Sequence, residues 1–147
     1  MKQGKFDKAT DILRKILTCN STVEVGDVAN LAECLIILQQ YDEYQKLYAE
    51  HKQSLDTLND GNFVTLMNTL KAIQENDTAA IKAQLQPLIA KTPPGMHSKL
   101  VHWQFNEIQN GIIDKLSDDR RQLAETIVGF FSGRIDPQFM QSTLDQV

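Results

Sequence analysis

The sequence predicts an all-α fold, arranged as a right-handed stack of antiparallel helix hairpins with about seven or eight helices. Apolar residues recur at spacings of three and four along most of the 147-residue chain, which places them on one face of successive helices. Turn signals separate these stretches, and strand-like alternation is weak. Ala9, Tyr44 and Ile81 occupy corresponding places in three of them, with steps of 35 and 37 residues, the range of stacked helix-pair repeats.

Two helices are predicted in the first quarter of the chain. The first runs from Phe6 to Leu17, with an apolar face at positions 6, 9, 12, 13, 16 and 17 and a charged face at Lys5, Lys8, Asp11, Arg14 and Lys15. Asn20-Ser21-Thr22 is expected to end it. The second runs from about Gly26 to Leu38 and is apolar over most of its surface, which is typical of a helix buried between neighbours.

In the middle of the chain, the sequence predicts a helical hairpin, a break and a second helical hairpin. One helix starts at Asp42 and turns Tyr44, Leu47, Tyr48 and Leu55 inward. Asn59-Asp60-Gly61-Asn62 is the strongest internal break. Another apolar helix follows from Phe63 to Ile73, and Asp77 or Thr78 caps the next one, which runs to Ala90. An interior proline costs about 3 kcal/mol, so Pro87 is expected to kink this helix or end it near Gln86.

A stiff connector at Thr92-Pro93-Pro94-Gly95 predicts a boundary between residues 1–91, with helical repeats, and residues 96–147, with irregular helices that pack on the repeats as a cap. The C-terminal part is expected to begin with a longer helix from Leu100 to Ile113 that carries Trp103. The next helix starts at Ser117 or Asp118 and ends at Ser132-Gly133. The last is capped by Asp136, with Pro137 at its first position and an apolar stripe of Phe139, Met140 and Leu144.

The first segment resembles a known repeat. Gly4-Lys5-Phe6-Asp7-Lys8-Ala9, followed by Leu13 and Ile16, is similar to the second half of a tetratricopeptide repeat (TPR), in which a small residue packs where two helices cross. In the next unit the matching residues are Leu31-Ala32, Leu35, Tyr41 and Tyr48, whereas Tyr44 stands where the family has a small residue. The resemblance covers residues 1–91 and implies a TPR-like α-solenoid whose first unit is incomplete.

Composition argues against several classes of function. The net charge is −4 and no basic stripe occurs, which opposes binding to nucleic acid. No apolar stretch approaches the ~20 residues of a membrane span. Cys19 and Cys34 are too few for a disulfide framework and are expected to be buried thiols of a cytoplasmic protein. The sequence contains no metal-ligand spacing, nucleotide-binding motif or nucleophile motif, so no cofactor, metal or catalytic activity is predicted.

The preferred hypothesis is a non-catalytic protein-interaction scaffold that binds a peptide or helix of a partner protein or of its own parent chain. Repeat proteins bind along the wall that their inner helices line. The candidate residues there are Asn30, Glu33, Ile37, Asn68, Lys71 and Gln74. The alternative is a helical dimerisation or assembly domain that acts through an apolar C-terminal face. The residues predicted for that face are Trp103, Phe105 and Phe139. A helical enzyme is the third hypothesis, and no convergent set of titratable residues supports it.

Overall fold

A computed structural model of the chain describes residues 2–19, 24–92, 99–102 and 105–147, with the backbone alone at residues 2–5 and 19. These residues form nine α-helices and two 3-10 helices, and no β-strand occurs among them. The predicted all-α class is therefore confirmed. The right-handed stacking of hairpins stays a prediction.

The chain divides into two compact units, Met1–Met67 and Asn68–Val147, and the division falls inside one helix. The boundary predicted after residue 91 lies within the second unit. Residues 93–95 of the predicted connector lie outside the described residues, as does the predicted break at 20–22. Both therefore stay predictions.

The first unit contains four helices and the start of a fifth. They are α1 (Lys2–Cys19), α2 (Val25–Ile37), α3 (Tyr41–Glu50), α4 (Lys52–Thr57) and α5 (Asn62–Gln74). α2 is central, because α1, α3 and α4 all pack on it. Every residue of α2 from Val28 to Ile37 except Asn30 is buried, which explains its wide apolar face. Cys34 is one of these buried residues, as predicted.

A hydrogen-bonded cluster joins α3 to α4 across the one residue between them. The Tyr48 hydroxyl and the Lys52 ammonium each donate to a different oxygen of Asp56, both at 2.6 Å. The hydrogen bond from Lys52 lowers the pKa of Asp56. The chain then reverses at Asn59, Asp60 and Gly61, all with positive φ, which confirms the predicted break.

Two interhelical turns share one geometry. After α2, Gln39 has φ +61° and donates to the Ile36 carbonyl, while Gln40 donates to that of Leu35. After α5, Asn76 has φ +55° and donates to Ile73, while Asp77 donates to Ala72. This is the Schellman arrangement, which satisfies the last carbonyls of a helix. The turns are 76 − 39 = 37 residues apart, the same step as from Tyr44 to Ile81.

The second unit contains the rest of α5 together with α6 (Thr78–Lys91), α7 (Asn106–Gly111), α8 (Asp118–Phe131) and α9 (Pro137–Asp145). A short 3-10 helix, Ile113–Lys115, follows α7. α9 packs on both α6 and α8. The Asp77 side chain accepts from the Ala80 amide at 3.1 Å, which confirms the predicted cap of α6.

Two expectations in this unit are wrong. Of the two outcomes expected at Pro87, the early end near Gln86 is wrong, because α6 continues through Pro87 to Lys91, whereas the kink stays a prediction. Proline removes the amide that would bond to the Ala83 carbonyl, and both Pro87 and Ala83 are exposed, so the interruption lies on the solvent side of α6. The helix expected from Leu100 to Ile113 is also much shorter, since Asn106–Gly111 is the only α-helical part of the residues described in that span. The amides of Leu100 and Val101 instead donate to the Phe131 carbonyl, at 2.9 and 3.2 Å.

Candidate functional site

The six residues predicted to line a groove do not share one environment. Asn30 is exposed on α2, whereas Glu33 is 5% exposed and Ile37 is 3% exposed. The expectation that Glu33 and Ile37 face an open wall is therefore corrected: three helices pack on α2, and between Val28 and Ile37 only Asn30 lies at its surface. Asn68, Lys71 and Gln74 are partly exposed on α5, where Lys71 pairs with Glu75 at 3.3 Å.

Of the three residues predicted for the C-terminal face, Phe139 is the most informative. Its side chain is 56% exposed, which is unusual for a phenylalanine. Phe105 is partly exposed at the N-terminus of α7. Trp103 lies outside the described residues. Among these three residues, Phe139 on α9 is the one with the most exposed ring in the described part of the chain.

The local sequence explains why α9 presents Phe139 outward. Asp136 caps the helix by accepting from the Phe139 amide at 2.7 Å, and Pro137 sits at the first position, where a missing amide costs nothing. Met140 and Leu144, four residues apart, are fully buried and fix the inner side of α9. Phe139 is displaced by about 100° from Met140 around the helix and so points to solvent.

Phe139 borders a groove of about 380 Å³ between α8 and α9, which we call the α8–α9 groove. Leu123 and Val147 add apolar surface, and Val147 is 46% exposed. Among the side chains that line the groove, only Asp119 carries a charge. The remaining lining residues are uncharged and polar: Gln122, Thr126, Ser142, Thr143 and Gln146.

A second groove of about 390 Å³ lies next to the first along α8 and shares Gln122 and Thr126 with it. Glu125 and Arg134 bring opposite charges to it, and both are exposed. Its wall includes Gly129, where α8 passes close to Ile135. This groove lacks an exposed large apolar side chain, so it is the weaker candidate for a binding surface.

Gly129 offers a direct test of this close approach. A Cβ atom at position 129 would lie 2.6 Å from Ile135 Cγ1, so we expect Gly129→Ala to lower the free energy of unfolding by about 1–3 kcal/mol. Gly26→Ala is the matched control, because a Cβ atom at position 26 would meet no atom within 4 Å beyond its own helical turn and chain neighbours. Alanine is the better helix former, so that variant should be more stable by about 0.5–1 kcal/mol. Urea unfolding measures both, and a change of the same sign in the two would contradict the close approach.

One exposed apolar residue escaped the sequence analysis. Ile12 was assigned to the inward face of α1, but its side chain is 59% exposed. The true packed face is centred on Phe6 and Thr10, which are 4% and 1% exposed. The apolar face of α1 is therefore wider than the area that α2 covers. The width of that face in the sequence could have predicted that one of its apolar residues is exposed.

Two further kinds of site were sought among the described residues. No group of three His, Cys, Asp or Glu side chains that could hold a metal ion occurs in that part of the chain. No helix there combines the length and the apolarity that a membrane crossing requires. Comparison with family models, curated proteins and solved structures gives no match to this chain. The candidate binding surfaces of this chain are therefore those that its own geometry and chemistry indicate.

Proposed function

We propose that this chain is a non-catalytic protein-interaction module that pairs with a second copy of itself through the C-terminal face. The observation that carries the proposal is Phe139, a 56% exposed aromatic side chain beside the α8–α9 groove. Fully burying a phenylalanine is worth about 1.5–3 kcal/mol, so leaving it in water forgoes much of that stabilisation. Aromatic side chains next to a pocket are typical anchors of protein interfaces.

The shape of the face suits two identical partners. A twofold interface uses the same patch on both subunits, so a projecting side chain and the hollow that receives it must lie on one surface. Phe139 and the α8–α9 groove meet this requirement, since the ring borders the hollow. The ring of one copy enters the groove of the other, and the reverse contact forms at the same time.

The electrostatics of the face also permit self-pairing. Asp119 is the single charged side chain among the residues that line the groove, and it lies on α8 rather than beside Phe139 on α9. Two copies therefore meet with little like-charge repulsion. The same scarcity of ionisable groups supports a binding role over a catalytic one, because acid–base chemistry needs positioned titratable side chains.

A finer architecture accompanies this proposal. We place the hairpins α2–α3 and α5–α6 as successive TPR-like repeats of a short α-solenoid. The support is the shared turn geometry and the 37-residue step between Gln39 and Asn76. A cytoplasmic location stays a prediction from the cysteine content.

Sedimentation equilibrium over a range of protein concentrations tests the pairing. The wild-type chain is expected to pass from monomer to dimer as concentration rises. Phe139→Ala should weaken dimerisation roughly 30-fold or more, which corresponds to the ~2 kcal/mol loss of an interface hot spot. Its free energy of unfolding should scarcely change, since the side chain is exposed.

Ile12→Ala is the matched control, because Ile12 is exposed to a similar degree, 59%, on a different helix. It should leave dimerisation unchanged. A chain that stays monomeric at every concentration would refute the pairing. Equal weakening by Ile12→Ala would show that the contact does not depend on the C-terminal face.

A further inference from the structure

A second open apolar surface lies on α1 and consists of Ala9, Ile12 and Ile16, which we call the α1 stripe. Ile12 is 59% exposed, and Ala9 and Ile16 are partly exposed. The three residues recur at steps of three and four, so they form one continuous row along the helix. Its length, from residue 9 to residue 16, corresponds to about two helical turns.

A contact of Arg14, which we call the Arg14 clamp, lies on the other side of α1. Arg14 donates from Nε and Nη2 to the two carboxylate oxygens of Glu43, at 2.7 and 2.5 Å, and from Nη2 to Gln40 at 3.2 Å. Such a two-pronged contact holds both position and angle. Ile12 is two residues from Arg14, about 200° around the helix, so the clamp turns the α1 stripe away from α3.

The charge around the stripe is opposite to that of the chain. α1 contains five basic and two acidic residues, 5 − 2 = +3, whereas the whole chain carries −4, so the remainder carries −4 − 3 = −7. Lys8 and Lys15 are exposed, seven residues apart, and flank the stripe on one side. Neither forms an ion pair within the described residues, whereas Asp11 pairs with Arg14 at 3.2 Å.

We propose that the α1 stripe docks an amphipathic helix of another protein, one whose apolar row is flanked by Asp or Glu. The apolar row of the partner helix covers the α1 stripe, and its acidic side chains pair with Lys8 and Lys15. Helix-in-groove and helix-on-helix recognition use apolar anchors at this spacing. The flanking charges select acidic partners and exclude basic ones.

The charge pattern favours this occupant over the two others that an amphipathic helix attracts. A second copy would pair its α1 antiparallel, which brings the Lys8 and Lys15 side of one helix against the same side of the other. A membrane-binding helix usually inserts aromatic side chains, but Phe6 is buried, and the exposed Asp7 and Asp11 repel an anionic surface. An amphipathic helix with acidic flanks can both bury the α1 stripe and form ion pairs with Lys8 and Lys15.

The test uses two designed helical peptides of about 20 residues, long enough to be helical in water. Both carry leucines at helical spacing, with glutamates on the flanks of one and lysines on the flanks of the other. Fluorescence anisotropy with the full chain is expected to show binding of the glutamate peptide at least about tenfold tighter than binding of the lysine peptide. Failure of the glutamate peptide to bind would overturn the proposal.

Charge reversal gives the sharper result. Lys8→Glu combined with Lys15→Glu should reverse the preference between the two peptides, which loss of folding does not produce. Lys46→Glu combined with Lys115→Glu, at two exposed lysines elsewhere, makes the same change in net charge and should leave the preference intact. Equal effects of the two pairs would show that bulk charge, and not the α1 stripe, decides binding.

Two further variants and a vesicle measurement complete the test. Ile12→Ser should weaken binding of the glutamate peptide at least about tenfold. Phe139→Ala should leave this binding unchanged, because the α1 stripe is separate from the residues proposed for dimerisation. Vesicles of phosphatidylcholine with phosphatidylserine should not bind the chain in a flotation assay. Flotation that the Lys8 and Lys15 reversal abolishes would assign the stripe to a membrane surface and overturn the proposal.

Discussion

Replacement of Phe131 by alanine is expected to lower the free energy of unfolding by about 3–5 kcal/mol. Phe131 is fully buried at the end of α8, with its ring edge-on to that of Phe130 and the centroids 5.8 Å apart. Truncation removes the transfer free energy of the ring and leaves a cavity that the neighbouring side chains fill only in part. The loss is a large share of the 5–15 kcal/mol that stabilises an ordinary domain.

The backbone at this position should be unaffected, which makes the result a measure of packing. The Phe131 carbonyl accepts from the amides of Leu100 and Val101, and alanine retains that carbonyl. Amide hydrogen exchange at Leu100 and Val101 therefore reports whether the contact survives. The free energy of exchange at these two amides should fall by no more than the free energy of global unfolding falls.

Phe139→Ala is the matched control, since it removes the same ring from a side chain that is 56% exposed. Its effect on stability should stay within about 0.5 kcal/mol when measured on the monomer at low concentration. Urea unfolding of both variants gives the comparison. Equal losses in the two would show that the burial of Phe131 and the exposure of Phe139 are wrongly assigned.

The sequence predicted best those elements whose signals are local. The cap at Asp136 and the proline after it define the start of α9, and Asp77 does the same for α6. A capping oxygen acts within three residues of itself, so no distant contact can override it. The break at 59–61 is equally local, because left-handed backbone favours Asn, Asp and Gly.

Predictions that depended on tertiary contacts were less successful. Glu33 was assigned to a groove as a polar residue on an inner helix of a repeat protein, yet three helices pack on α2 and Glu33 is buried there. Ile12 was assigned to the core from helical spacing alone, but α1 packs on α2 through the face of Phe6 and Thr10, and Ile12 lies outside that face. Periodicity gives the width of an apolar face, whereas the neighbouring helices decide which part of it is covered.

The same limit explains the segment before α7. Leu100, Val101 and Ile108 fit a helical pattern, but the amides of Leu100 and Val101 are committed to a carbonyl of α8. A sequence pattern cannot reveal a hydrogen bond to a residue thirty positions away. Of the C-terminal candidate site, Phe139 was identified from its residue type, and the groove beside it required the packing of α9 on α8.

Alkaline pH is expected to destabilise the first unit through Tyr44. This residue is 1% exposed on α3, and burial raises the pKa of its hydroxyl well above the ordinary value near 10, with smaller contributions from Tyr48 and Asp56. A buried tyrosinate is costly, so the folded chain keeps the proton while the unfolded chain releases it. The stabilisation that comes from keeping Tyr44 protonated is fully present below pH 10 and is lost as pH rises towards the raised pKa of Tyr44.

The expected slope is roughly 1.4 kcal/mol of unfolding free energy per pH unit above pH 10, because one proton distinguishes the two states. Tyr48 acts in the same direction, since its hydrogen bond to Asp56 raises its pKa, but it is partly exposed and its contribution should be smaller. Urea unfolding at several pH values, together with tyrosinate absorbance, measures both. Absorbance should show Tyr44 ionising only as the unit unfolds.

Tyr44→Phe isolates the effect, because phenylalanine keeps the ring that stacks on Tyr48 at 6.5 Å and cannot ionise. The variant should lose most of the alkaline slope, whatever its stability at neutral pH. Tyr48→Phe is the companion variant and should retain the greater part of that slope. A full slope in Tyr44→Phe would assign the alkaline transition to the lysines or to other tyrosines, and the raised pKa of Tyr44 would then have no part in it.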